Sequence, residues 1–170
     1  VPPSPQEFAA FAREVASRYG DSIDYWEIWN EPENDIYWNP QANVADYAAV
    51  LIAGSRAVKE VDPGAQILMG GIVPTHKEFI EGLHANGAWN AFDIVSLHPY
   101  VDPFSPEEGQ IGSGDVTAIR TMIQSYGTKP IWATEFGWST GVGGRFGSQF
   151  SDEEQANYLV RGSALLRAAG

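Results

Sequence analysis

Helix-spaced and strand-like apolar runs take turns along this chain, and that alternation predicts an α/β fold of parallel strands, each covered by the helix that follows it. Two further observations sharpen the prediction. Polar and acidic residues gather at the carboxyl ends of several strands: Asn30 and Glu31, His98 and Tyr100, and Glu135. None of the strand-to-helix turns carries the Gly-rich fingerprint that a doubly wound sheet places after its first strand. Polar residues at the carboxyl ends of parallel strands are how a (β/α)8 barrel assembles a site, so a partial barrel is the predicted architecture.

The elements follow in order. Ser4, Pro5 and Glu7 supply an N-cap, a first-turn proline and a capping-box acid; Phe8, Phe11, Ala12, Val15 and Tyr19 continue at helical spacing, and Gly20 ends the helix. Ile23 to Trp29 is short and aromatic-rich and runs into Asn30-Glu31-Pro32, where proline cannot extend a ladder, so a strand ends at Glu31. Asn43 caps a helix through Tyr47, Val50, Leu51, Ala57 and Val61, which Asp62-Pro63-Gly64 stops. Gln66 to Val73 reads as the next strand. Thr75 with Glu78 repeats the capping-box pattern ahead of Phe79, Ile80 and Leu83, and Phe92 to Leu97 is an apolar strand leading into His98-Pro99-Tyr100. Ile119, Met122, Ile123 and Tyr126 share one helix face closed by Gly127, Pro130 to Phe136 forms the last strand, and Ser151 with Glu154 caps a final helix. No linker or composition shift divides these elements, so residues 1–170 read as one domain.

Composition narrows the function classes. With 44% hydrophobic and 12% aromatic residues the 170-residue chain can bury one sizeable core. Its 22 acidic against 10 basic residues give a formal charge of -12, which repels phosphate backbones and anionic lipid surfaces, so neither nucleic acid nor membrane is an expected partner. The absence of cysteine excludes disulfides, thiol nucleophiles and thiolate metal sites. His76, His84 and His98 lack metal-ligand spacing, and no acidic run resembles a calcium loop, so no metal or other cofactor is expected. The chain opens on Val1 without an initiator Met or a signal peptide and stops at Gly170 directly after a helical pattern; both ends are expected to be cuts.

Breaking a glycosidic bond with retention needs one carboxyl that protonates the leaving oxygen and a second that attacks the anomeric carbon, roughly 5 to 5.5 Å apart. Glu31 and Glu135, at the tips of non-adjacent strands, fit those roles. Trp29-Asn30-Glu31-Pro32 together with Thr134-Glu135-Phe136-Gly137-Trp138 resembles clan A of the glycoside hydrolases, nearest to families 39 and 5. In that clan the Asn-Glu-Pro motif ends strand 4 and the second Glu ends strand 7, so the resemblance covers the whole chain. It aligns the strands here with numbers 4 to 7 and implies that strands 1 to 3 and 8 are missing. It also implies a retaining β-glycoside hydrolase acting on a poly- or oligosaccharide, with Glu31 as acid/base and Glu135 as nucleophile. Asn30 then donates to the sugar 2-hydroxyl, and His98 and Tyr100 hold the nucleophile or its substrate. The clan further suggests a secreted or extracytoplasmic protein.

Other residues have plainer readings. Glu27 shares strand parity with Trp29 and Glu31 and is expected as a buried structural carboxylate facing a basic partner outside the chain. Trp38 and Trp138, with Tyr37, follow strand ends, where rings can stack on sugar faces; Trp38 and Trp138 are taken as substrate contacts, and Trp26, Trp89 and Trp132 as core. His76 and His84 read as helix surface. The Gly141 to Gly147 segment lacks the Gly-Lys-Ser/Thr ending of a phosphate loop and reads as a mobile loop in which Arg145 could reach substrate. A carbohydrate-binding pseudoenzyme or an inactive barrel piece is the alternative. A pseudoenzyme predicts a replaced catalytic Glu, and both are present.

Overall fold

The computed structural model describes residues 2–143, 147 and 149–169. Helix α1 (Pro5–Tyr19) begins at its capping box: Ser4 Oγ accepts the Glu7 N–H at 3.2 Å while the Glu7 carboxylate accepts the Ser4 N–H at 3.1 Å. Strand β1 (Tyr25–Asn30) leads to α2 (Val44–Val61), where the Asn43 side chain accepts from Ala45 and Asp46 N–H. Then come β2 (Gln66–Gly71), α3 (Lys77–Ala85), β3 (Val95–Leu97), α4 (Asp115–Ile123), β4 (Ile131–Ala133) and α5 (Asp152–Ala168), the last with its Ser151–Glu154 capping box formed.

All strand pairing is parallel: β1 pairs with β2 and β3 with β4, while bridges Leu68–Ile94 and Ile72–Leu97 join the two ladders. The sheet therefore runs β1-β2-β3-β4 in chain order. Right-handed crossovers that all step in one direction place every helix on one face. That is the winding of a barrel, whereas a doubly wound sheet reverses. Curvature agrees. Four flat strands would hold β1 and β4 roughly 14 Å apart, yet Tyr25 and Trp132 approach to 4.9 Å between ring centroids and Thr134 Oγ1 donates to Glu27 Oε1 at 3.4 Å. The core lies on the helix side, where Ile28, Ile67 and Met69 meet Leu51, Val58 and Ile80. No helix among the described residues is long and apolar enough to cross a membrane.

Several local expectations are corrected. The Thr75–Glu78 capping box does not form: Pro74 opens a 3-10 turn, Pro74–His76, that absorbs Thr75, and α3 starts at Lys77 without a side-chain cap. Glu78 instead faces His76 Nδ1 at 3.3 Å. Glu27 is exposed rather than buried, and within this chain its partners are the hydroxyls of Ser96 (2.5 Å) and Thr134. Trp132 is 39% exposed on the same concave face as Tyr25, so it is not core. Trp89 is core, and Trp26 is partly buried against the core cluster. His84 is exposed on α3 and stacks on Tyr126 at 4.0 Å. His76 is exposed as well. Arg145 lies outside the described residues.

Candidate active site

Glu31 follows directly on β1, and the backbone there is not a regular strand. Trp29 has φ 74° and Glu31 φ 40°, left-handed values rare for bulky side chains. The indole of Trp29 turns out of the concave face to pack against Phe8 of α1 and Trp38, so simple strand parity fails at this point. Glu31 itself points over the sheet toward the end of β3.

There the two acids meet around one histidine. His98 Nδ1 lies 2.9 Å from Glu31 Oε1 and 3.7 Å from Glu135 Oε2. One donor atom from each of Glu31, His98 and Glu135 lies within 4.8 Å of the other two. By distance alone these three are also, among the described residues, a group that could hold a metal ion. His98 is 1% exposed beneath the pair, whereas the side chains of Glu31 and Glu135 are 14% and 47% exposed. Gly71 makes room for it: a Cβ at that position would fall 2.1 Å from His98 Nε2.

Tyr100 Oη donates to Glu135 Oε2 at 3.2 Å. Burial first, then the charge of Glu135, pushes the Tyr100 hydroxyl up to about 12, so it remains a donor to the carboxylate throughout the neutral range. Asn34 Nδ2 reaches Glu31 Oε2 at 3.4 Å. Two residues beyond Glu31, Glu33 Oε1 accepts the Val73 N–H at 2.8 Å, tying the loop after β1 to the end of β2, while its Oε2 is buried without a partner. Desolvation raises the Glu33 carboxyl above its ordinary range, against the lowering effect of that amide.

The acids open into a cleft of about 580 Å³ walled also by Asn34, Ile36, Tyr37, Tyr100, Asp102 and Trp138. Tyr100 and Asp102 face a second cavity of about 390 Å³ on their other side. Of the residues singled out from sequence, Glu31, Glu135, Tyr37, Tyr100 and Trp138 reach this cleft. Trp138 does so as a packed wall, 4% exposed, with Nε1 donating to the Phe104 carbonyl at 2.8 Å. His98 supports the acids from below. Asn30 ends β1 half-buried, outside the wall of the cleft.

Trp38 is the correction: at 1% exposure it is core, edge-on to Trp29 and Tyr47, and its neighbour Tyr37 is the aromatic that faces the cleft. One residue of turn separates the two, and only packing against α2 selects which ring is buried. Asn34 and Asp102 line the cleft and Glu33 ties down the loop beside it, although no motif singles them out. Their signal was closeness to the Asn-Glu-Pro and His-Pro-Tyr motifs, since loop residues just after a barrel strand line its mouth.

Comparison with curated proteins finds no match. Among solved structures the chain is similar to a family 39 glycoside hydrolase from Bacteroides cellulosilyticus WH2, with 25% identity and a TM-score of 0.72 over 95% of this chain and 34% of that one. It is similar to a monomeric β-xylosidase from Caulobacter crescentus CB15 at 25% identity and TM-score 0.59, covering 81% of this chain and 31% of that one. A family 39 enzyme from Xanthomonas axonopodis pv. citri matches at 27% identity and TM-score 0.59, over 81% and 30% of the two chains. The chain thus spans about a third of the length of the structures it matches. The model of glycosyl hydrolases family 39 matches residues 6–160, and this chain belongs to that family.

Proposed function

We propose that this chain carries the catalytic carboxylates of a retaining β-glycoside hydrolase, within a single barrel whose remaining strands lie outside these 170 residues. The observation that carries the reading is the pair of acids on the ends of β1 and β4, whose oxygens both gather around His98 within 4.8 Å. Retaining enzymes hold their carboxyls about 5 to 5.5 Å apart, whereas inverting ones leave about 6.5 to 9.5 Å for a water. The spacing supports direct attack by one acid.

In the first step the Glu135 carboxylate attacks the anomeric carbon, the bond to the leaving oxygen breaks, and the proton of Glu31 passes to that oxygen. A glycosyl ester on Glu135 results. In the second step Glu31 takes a proton from water as the water oxygen attacks the anomeric carbon, and the ester bond to Glu135 breaks. The Tyr100 hydroxyl, donating to Glu135 Oε2, holds the attacking carboxylate in place. In this reading His98, engaged by Glu31 at 2.9 Å, supports the acid, and the two carboxyls supply the proton transfers and the nucleophile. The cleft and the cavity behind Tyr100 together offer room for a sugar and its leaving group. Family membership, and the β-xylosidase among the similar structures, make β-linked sugars the first substrates to test.

The test uses the full-length protein with aryl β-glycosides, comparing wild type, Glu31→Gln and Glu135→Gln. Glu135→Gln is expected to abolish turnover, and Glu31→Gln to lower kcat/KM chiefly for substrates with poor leaving groups, while on activated aryl glycosides, where breakdown of the glycosyl ester then limits turnover, added azide is expected to restore the rate as a glycosyl azide. Variants that match wild type on substrates the wild type cleaves would remove the two-carboxylate assignment.

A further inference from the structure

Tyr47 joins the strand that carries Glu31 to the strand beside it through a single hydroxyl. Its ring is fully buried on α2, against Trp38 and Phe79. The hydroxyl stands between two backbones, donating to the Ile28 carbonyl at 2.8 Å and accepting the Gly70 N–H at 2.6 Å. Near the start of the ladder the Gln66 N–H donates to the Asp24 carbonyl at 2.8 Å. In a parallel pair every second amide of β2 then faces β1, which assigns the Gly70 amide to the Ile28 carbonyl. The tyrosine occupies that link.

Beyond it the ladder has changed phase. Regular alternation would have the Asn30 amide donating to β2, but the Glu31 N–H donates to the Gly71 carbonyl instead, at 3.0 Å. Trp29 and Gly70, between the two halves, are not partners in the register, and Trp29 is the residue at φ 74°. The register itself does not slip, so it is the left-handed backbone at Trp29 that re-aims the side chains following it. The neighbouring strand is shaped for the insertion as well: a Cβ on Gly70 would lie 2.9 Å from the Ile28 oxygen, 3.0 Å from the Trp29 oxygen and 3.1 Å from the Tyr47 hydroxyl.

We propose that Tyr47 is a positioning residue for acid catalysis, its hydroxyl holding open the break in the ladder that aims Glu31 at the leaving-group oxygen. The proposal rests on the reading of Glu31 as acid/base. Without the hydroxyl, the Ile28 carbonyl and the Gly70 amide can close on each other, the phase change loses its support, and Glu31 leaves its line to the substrate. Tyr47 touches no reacting atom; it acts through three residues of β1.

The experiment measures kcat/KM in the full-length protein across a series of aryl and alkyl β-xylosides, from acidic phenols that leave unaided to alcohols that need a proton. Tyr47→Phe keeps the ring and removes the bridge. It is expected to lose about 10-fold or more on the poor leaving groups while remaining within about 2-fold of wild type on the most acidic phenol, because general-acid help matters only where the leaving group needs it. Gly70→Ala crowds the same hydroxyl from β2 and is expected to show the same steepened dependence, which keeps the test open should Tyr47→Phe fail to fold. A loss shared equally by all substrates, or a lowered Tm with unchanged kinetics, would mean that the bridge is only structural and would overturn the proposal. Glu31→Gln, run alongside, separates the two claims. A steep dependence for Glu31→Gln with a flat one for Tyr47→Phe sinks the positioning role alone, and a flat one for Glu31→Gln sinks the acid/base reading and the positioning role together.

Discussion

Glu33 stands two residues past Glu31 with one oxygen on the Val73 amide and the other buried without a partner. Burial favours its neutral form, so its folded pKa lies above the ordinary 4.5. The sign follows from linkage. A carboxyl with a raised folded pKa leaves stability whole below the unfolded value and costs stability as pH rises through the folded one, because the unfolded chain sheds the proton first. Glu33→Gln keeps the shape and the acceptor for Val73 and cannot ionise. Its Tm is therefore expected to fall less than that of wild type between about pH 4 and pH 8; parallel melting curves across that range would contradict the assignment. The candidate acids and their neighbour were readable at this scale as cleft residues: Glu31, Glu135 and Tyr100 sit in local motifs and line the cleft. Trp38 was not readable, because choosing between it and Tyr37 depends on what packs beneath the loop.

Elements formed by local bonding were also legible. The capping boxes of α1 and α5 form from residues three apart, so the string of letters contains both partners. The box expected at Thr75 fails because Pro74 imposes its own turn first. Contacts between strands are less visible. Gly71 on β2 is the clearest case, since nothing in its neighbours announces that the ring of His98, from β3, fills the space where its Cβ would be. Gly71→Ala is expected to push His98 out from under the acids and cost about 100-fold in kcat/KM, the usual scale for a displacement of about 1 Å in a catalytic group. Measured against wild type with the fold checked by circular dichroism, a variant with unchanged kcat/KM would show that the seat of His98 is unimportant.

At the scale of the molecule, the four strands curl as one side of a barrel and leave their concave face open. Tyr25 and Trp132 are exposed on that face, and Phe11 and Val160 are exposed on the outer helices. Unpaired edges and exposed apolar rings favour self-association. The 170 residues expressed alone are expected to melt without a sharp transition and to associate in analytical ultracentrifugation, whereas a monomer with a cooperative melt would show that this half-shell is self-sufficient. The order of elements, their parallel pairing, the missing nucleotide-binding turn and the two glutamates at strand ends all followed from the letters alone, because periodicity, caps and motifs are short-range properties. Packing settled the rest: the hydroxyls that satisfy Glu27, the burial of Trp38, the seat of His98 and the wedge of Tyr47. Each of these depends on which backbones and rings come within a few ångströms after folding, a relation between residues far apart in the chain that no local pattern encodes.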